Sequence, residues 1–361
     1  MLHRTNWNTR LPEPVKGNSL CDIILISKYK SMKNYEEVVG IDVSKKTIDA
    51  SCHLAQQHRV FTNDVKGYQS MLNWVIKQTK GVSVFYCFEN TGNYSLKLAS
   101  YLSLKGIAYV EESPIKIKRS SGLVREKTDK IDSEIIARYA WVYREELLSS
   151  ELKSVVYQEL GRLIGLRDQL VRSRSGLFGT LKEIEQLLSS PSTDTSCIVL
   201  RRSIENLSKQ IKSIEFRMVS LLKEDESLSS NYKLLLSLRG IGFVVACQLL
   251  YHTENFKRFA TWRKFSSYCG LAPYEYSSGT SIHRRKKCHY LGDRKMKSLL
   301  SMASISAIQH DPELRIYYKR KVEEGKPKMI ALNNVRNKLL ARVFSVVKRE
   351  TPYVILNQYA A

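Results

Sequence analysis

Four acidic residues in the N-terminal third have the types and spacing that metal-dependent phosphodiester chemistry requires. Asp42 lies in Gly-Ile-Asp-Val-Ser-Lys near the end of an apolar run, and Glu89 closes a second apolar run in Phe-Glu-Asn-Thr-Gly. Asp129 and Asp132 follow in Lys-Thr-Asp-Lys-Ile-Asp, three apart at a predicted helix start and hence on one face of it. Carboxylates ending adjacent strands converge with those on a helix packed over the same sheet. Four like charges in one place drive up one another's pKa unless a cation neutralises them. Oxygen donors, with no His or Cys beside them in sequence, select Mg2+ or Mn2+ as the metal. Two such ions clamp the attacking and leaving oxygens of a phosphodiester. Taken singly, each acid has a plainer explanation, and Asp129 could simply cap a helix. Asp49, Glu111 and Glu112 compete in the same stretch, but they lie mid-strand or beside solvent-facing runs. The order of strand Asp, strand Glu and paired Asp opening a helix singles out Asp42, Glu89, Asp129 and Asp132.

Two more stretches carry chemistry. In Leu234–Leu250 (LLLSLRGIGFVVACQLL) two apolar helical segments are joined through Arg239, Gly240, Ile241 and Gly242. This is a helix-hairpin-helix pattern: the glycines permit a tight turn, and the free N–H groups of the second helix can hold a phosphate. An ordinary helix–turn–helix packing corner would look similar. In Gly270–Arg294 (GLAPYEYSSGTSIHRRKKCHYLGDR) the hydroxyls of Ser277 and Ser278 run through Gly279 into Arg284, Arg285, Lys286 and Lys287, with Arg294 beyond. A serine beside arginines can bind phosphate or attack it, because guanidinium groups stabilise the developing charge. Most serines in such a loop only shape it, and the residues alone favour that plainer reading.

The elements that must position these residues follow from periodicity. From Glu36 to about Ser149 the pattern is α/β: a buried strand at Val38–Val43, hairpin partners at Thr47–Leu54 and His58–Thr62, and a helix over Gly67–Thr79 with Met71, Leu72, Val75 and Ile76 on one face. A strand at Val82–Phe88, a helix at Leu96–Leu104, a strand at Ala108–Glu111 and a helix from Asp129 to about Arg144 complete it. That order predicts a ribonuclease-H-like domain over 35–150. Residues 151–230 form a predicted helical coiled-coil arm. Leu163, Leu170, Leu177 and Ile184 recur every seventh position, and after a break at Ser189–Ser196 a cleaner set runs Leu200, Ile204, Leu207, Ile211, Ile214, Met218, Leu221. Arg167 and Arg174 at d positions weaken the first helix as an isolated coiled coil, so the arm pairs either within the chain or between subunits. Residues 231–361 read as a mainly helical domain with one long loop, Gly270–Arg285, and residues 1–34 as an unpatterned, flexible extension. The fold class expected is α/β followed by all-α.

Composition bounds the partners. With 361 residues, two or three domains are expected, and the net charge is +23. From Asn231 to the end there are 24 Lys and Arg against 8 Asp and Glu, so most of that charge sits on the last third. A basic block of this density is the footprint of a polyphosphate partner. No apolar run approaches the roughly 20 residues that span a bilayer. The seven cysteines are scattered without a C-x-x-C pair, which argues against a disulfide framework or structural zinc and for a reducing cytoplasm.

From about Val38 to Tyr353 the chain resembles the DEDD-type transposases of bacterial insertion sequences, a family that includes the Piv-type DNA invertases. GIDVSK, FENTGNY and KTDKIDSEIIARYA resemble its RuvC-like domain; LRGIG, GLAPYEYSSG, YLGDRKMKSLL and the terminal Gly-Lys…Asn-Lys-Leu-Leu-Ala-Arg stretch resemble its C-terminal domain. The resemblance implies that Asp42, Glu89, Asp129 and Asp132 are the metal-binding tetrad. It makes Ser278 the nucleophile that becomes linked to DNA. It implies donor and target DNA as substrates, dimers or tetramers in which one subunit's carboxylates work with another's serine, and, in the insertion-sequence branch, a structured guide (bridge) RNA. The N-terminal extension departs from the family pattern. The rival readings are a RuvC-like Holliday-junction endonuclease, a site-specific DNA invertase and a non-catalytic nucleic-acid-binding protein.

Overall fold

The computed structural model describes residues 31–122, 128–278 and 282–354, apart from the side chains of residues 93 and 276–286. The chain divides into two compact units, Met1–Leu152 and Lys153–Ala361. Most of the 1–34 extension lies outside the described residues. Its last part is packed: Met32 is fully buried, and its N–H donates to the Leu147 carbonyl.

The first unit is mixed α/β. Its elements are β1 (Glu37–Val43), β2 (Thr47–Cys52), β3 (Gln57–Thr62), α1 (Val65–Gln78), β4 (Val84–Glu89), α2 (Asn93–Leu104), β5 (Tyr109–Glu112), α3 (Pro114–Ser120) and α4 (Asp129–Val142). The five strands form one sheet in the order β3-β2-β1-β4-β5. β1 runs antiparallel to β2 and parallel to β4, and β4 runs parallel to β5. Strand alternation sorts the core onto two faces. Val39, Ile41 and Val43 pack with Met71 and Val75 of α1 and Leu98 and Leu102 of α2. Val38, Phe85, Cys87 and Val110 pack with Ile136, Tyr139 and Ala140 of α4. Burial on both sides is why β1 and β4 read as unbroken apolar runs. The strands and long helices lie within a few residues of where periodicity puts them. The short α3, opened by Pro114, has no periodic signal and was not expected.

Gly40 sets the height of α4 above the sheet. A Cβ built there would lie 2.2 Å from the Ala137 nitrogen and 2.4 Å from the Ser133 carbonyl oxygen, both backbone atoms. Ser51 and Ser133, hydroxyl to hydroxyl at 2.7 Å, tie β2 to the same turn of α4. Gly40→Ala is therefore expected to lift α4 and cost about 3 kcal/mol by overpacking, read as a lower urea midpoint; a variant as stable as the parent would show that α4 does not rest there.

The second unit opens with two long helices, α5 (Val155–Leu187) and α6 (Thr195–Glu224). They pack on each other as a hairpin across the Pro/Ser break, and Asp194 caps α6 by accepting from the Cys197 N–H. The arginines at d positions have partners on the facing helix: Arg167 Nε donates to Glu215 Oε1 at 2.7 Å, and Arg174 Nη1 to Ser208 Oγ at 3.3 Å. Polar seam positions are thus satisfied inside the hairpin. Then come α7 (Glu226–Leu236), α8 (Phe243–Thr253), α9 (Trp262–Tyr268), β6 (Pro273–Ser278), β7 (Ile282–Cys288), α10 (Arg294–His310), α11 (Pro312–Glu323) and α12 (Lys328–Arg349). Leu235, Leu249, Phe265, Leu300, Leu339 and Val343 are among the buried residues of this unit's core.

The stretch read as the loop Gly270–Arg285 is largely a two-stranded antiparallel sheet, with β6 and β7 in register from Pro273↔Cys288 to Ser278↔Ile282 and a shift between Tyr274 and Tyr276. Tyrosines and Ile282 favour extended backbone, and cross-strand pairing outweighs the local preference of serine and glycine for a loop. Among the described residues no helix is long and apolar enough to cross a membrane.

Candidate active site

The sheet and α4 decide which acids meet. Asp42 has the parity of Val38 and Gly40, and Glu89 that of Phe85 and Cys87, so both leave the sheet on the face α4 covers. Both stand at the carboxyl ends of parallel neighbours, where open α/β sheets place their ligands. α4 begins over this edge. Its cap is Thr128, whose hydroxyl accepts the Ile131 N–H at 3.3 Å, which leaves Asp129 as the first helical residue and excludes the capping role considered for it. Asp129 is exposed, and Asp132 and Asp42 are half-buried.

The electrostatics tie these groups together. Burial, followed by Asp132, Asp129, Glu89 and Asp49 in that order, pushes the Asp42 carboxyl up to about 6. A carboxylate pressed by four others is a place where a cation would relieve repulsion. The donors are all carboxylate oxygens, the set that suits a hard divalent ion. Among the described residues, no three Asp, Glu, His or Cys side chains stand close enough to hold an ion as they are. The acids are near enough to repel and are not drawn in on a common centre.

The three competing acids separate by face and partner. Glu111 points to the opposite face, where it accepts the Ser95 hydroxyl at 2.9 Å. Glu112 lies beside Glu89 in the β4–β5 ladder but is held by Lys116 Nζ at 3.0 Å and the Tyr139 hydroxyl at 3.1 Å. Asp49 is directly opposite Asp42 in the β1–β2 ladder, buried, with its Oδ1 2.9 Å from His58 Nε2. Its mid-strand place in the sequence gives no sign of this pairing. The signal that finds it is register, since the two acids are seven positions apart across a three-residue turn, Ser44 to Lys46.

In the second unit the expected nucleic-acid-binding cations lie on exposed positions where their side chains are described. Arg239 is exposed between α7 and α8, Lys287 is exposed on β7, and Arg294 is exposed as the first residue of α10. Gly240 has φ +90°, and a Cβ there would meet the Ala303 carbonyl oxygen of α10 at 2.4 Å, so it allows both the turn and a close helix contact. Gly242 caps α8 with an extended backbone and no side-chain hydrogen bond, leaving the first N–H groups of α8 without a capping side chain. Ser278 ends β6, paired with Ile282, and Arg284, Arg285 and Lys286 lie on β7; their side chains are outside the described residues.

Comparison with known proteins gives the same answer over both units. Residues 39–190 match the transposase family of the IS110 DEDD type, and residues 232–319 match the transposase IS116/IS110/IS902 family. The chain is 27% identical over 326 residues to the pilin gene-inverting protein of Moraxella bovis, covering 87% of this chain and 97% of that one. It is 31% identical over 172 residues to a 43.6 kDa protein of insertion element IS110 from Streptomyces coelicolor, covering 47% of this chain and 41% of that one. It is 23% identical over 278 residues to the transposase for insertion sequence element IS1111A of Coxiella burnetii, 71% of this chain and 73% of that one. With two family matches in order along one chain, the protein belongs to the IS110-type DEDD transposases, enzymes that cleave and rejoin DNA.

Proposed function

We propose that this chain is the transposase of an insertion sequence in which Asp42, Glu89, Asp129 and Asp132 hold Mg2+ or Mn2+ and Ser278 is the nucleophile. The observation that carries the reading is the set of carboxylates acting on Asp42, three of them the other members of the tetrad. The sheet order, with β1 antiparallel to β2 and parallel to β4, supports a RuvC-like, ribonuclease-H-type fold for the first unit. A bound cation would supply electrostatic stabilisation of charge at the scissile phosphate. The chain's own part is to bring four acids to one edge of the sheet and to bring Ser278 to the end of β6. Arg239, Arg284, Arg285, Lys286, Lys287 and Arg294, with the N-terminus of α8 behind Gly240 and Gly242, contact phosphates of the DNA.

The charge of +23, most of it in the last third, supports a polyanionic partner; beside DNA we assign a structured guide RNA from the element, as the resemblance to the insertion-sequence branch implies. Exposed Phe178 on α5 and Phe216 on α6 support a homodimer or homotetramer joined through the helical hairpin. A site-specific invertase is the second reading, because a pilin gene-inverting protein is matched along nearly its full length.

The test uses the full chain purified with its copurifying RNA, a DNA carrying the element's ends, and a target DNA. Strand exchange is expected to need Mg2+ or Mn2+, to stop with EDTA, and to fall after ribonuclease treatment. Full exchange in EDTA would overturn the carboxylate centre, and exchange unaffected by ribonuclease would remove the guide RNA.

A further inference from the structure

Asp42 and Asp49 are opposed partners in an antiparallel ladder, so their side chains leave the sheet on the same side with Cβ atoms about 5 Å apart. Like charges so placed destabilise a strand pair. Asp49 is also only 7% exposed, and a buried carboxylate adds a desolvation cost. Ser51, next on the same face of β2, joins α4 through a neutral hydroxyl pair, and a small neutral residue at position 49 would close the ladder at lower cost. The acid stands beside the carboxylate on which the other three members of the proposed tetrad act, and a neighbour on the edge strand holds it: His58 Nε2 lies 2.9 Å from Asp49 Oδ1.

We propose that Asp49 and His58 are positioning residues of the cation centre, forming its outer layer. Asp49 adds a fifth negative charge that draws the ion toward Asp42, and His58 holds the Asp49 carboxylate toward β3 so that it attracts the ion without ligating it. Outer-layer partners of this kind typically change metal affinity by about 10- to 100-fold when removed. The inference rests on the reading of Asp42 as a cation ligand. The competing account makes the His58–Asp49 pair a plain clip between β2 and β3. The two accounts differ in sign: losing a clip lowers stability and spares the ion, whereas losing an outer-layer acid weakens the ion and relieves repulsion.

The experiment is Mn2+ titration of the full-length protein, followed by electron paramagnetic resonance, with a thermal melt of each variant in EDTA. Asp49→Asn is expected to weaken Mn2+ binding about 10- to 100-fold with a melting midpoint equal to or above the parent's. His58→Gln, whose amide can still donate to Asp49, is expected to bind Mn2+ nearly as the parent does. Should Asp49→Asn fold poorly, Asp49→Ser takes its place in the same titration. Asp42→Asn separates the carboxylate centre from its outer layer. If it binds Mn2+ as the parent does, the carboxylate centre itself is wrong. If it loses Mn2+ while the position-49 variant binds normally and melts lower, the centre stands and the pair is a clip. His58→Leu, which has nothing to donate, is expected to weaken Mn2+ binding toward the level of Asp49→Asn; binding equal to the parent's in His58→Leu would overturn the role of the hydrogen bond.

Discussion

Asp42→Asn is expected to lower strand cleavage by roughly two to three orders of magnitude, the scale seen when a group that stabilises transition-state charge is removed, while the protein still folds and binds DNA. The native residue itself carries a cost. The Asp42 carboxyl is pushed up to about 6, first by burial and then by Asp132, Asp129, Glu89 and Asp49, so its charged form is disfavoured in the protein alone. An amide of nearly the same shape removes that cost. Melting in EDTA should therefore be unchanged or higher, and the loss should appear in chemistry alone. Asp132→Asn is expected to behave alike, because Asp132 is the largest charge contribution at Asp42. Single-turnover cleavage, a gel-shift titration and a thermal melt on each variant give the three readouts. Normal cleavage by both variants would remove the tetrad from the mechanism.

Ser278→Ala is expected to abolish the covalent protein–DNA adduct and strand exchange, whereas Ser277→Ala keeps both in part. In the proposed step the Ser278 oxygen attacks phosphorus and gives up its proton. The bond from phosphorus to a sugar oxygen breaks, and that oxygen takes a proton. One phosphodiester replaces another, so rejoining needs no external energy source. An unactivated serine is a poor nucleophile and needs a base or a cation to help. His289 is near in sequence, but its Nδ1 already accepts the Leu291 N–H at 3.2 Å and its ring stacks on Tyr290 at 4.7 Å. That commitment favours a cation over this imidazole as the help. Denaturing gels with labelled DNA detect the adduct, and peptide mapping locates it. An adduct on Ser277, or a full yield from Ser278→Ala, would overturn the assignment.

Much of this protein could be read from its residues in order. The strands, the long helices and their capping residues follow from local periodicity and short-range hydrogen bonds, which depend only on neighbours in sequence. The α/β-then-helical layout was legible for that reason, and so were the motifs that carry the family resemblance. Heptad spacing predicted a paired helical arm, and the d-position arginines left its partner open; facing Glu215 and Ser208 supply the polar partners within one hairpin. What tertiary structure alone decided depends on pairing between distant segments. Whether Asp129 capped α4 or stood inside it turned on the Thr128 hydroxyl reaching the Ile131 N–H. Whether the serine-rich stretch was a loop or a sheet turned on cross-strand pairing of β6 with β7. The need for Gly40 appears only when α4 lies on the sheet. Asp49 shows the limit best: two aspartates seven apart carry no periodic signal, and only the register of β1 against β2, with His58 brought in by β3, sets them opposite each other on one face. A one-residue slip would turn Asp49 to the other face of the sheet, and with it would carry Ile48, Ala50 and Cys52 out of the apolar cluster they share with Val39, Ile41 and Val43.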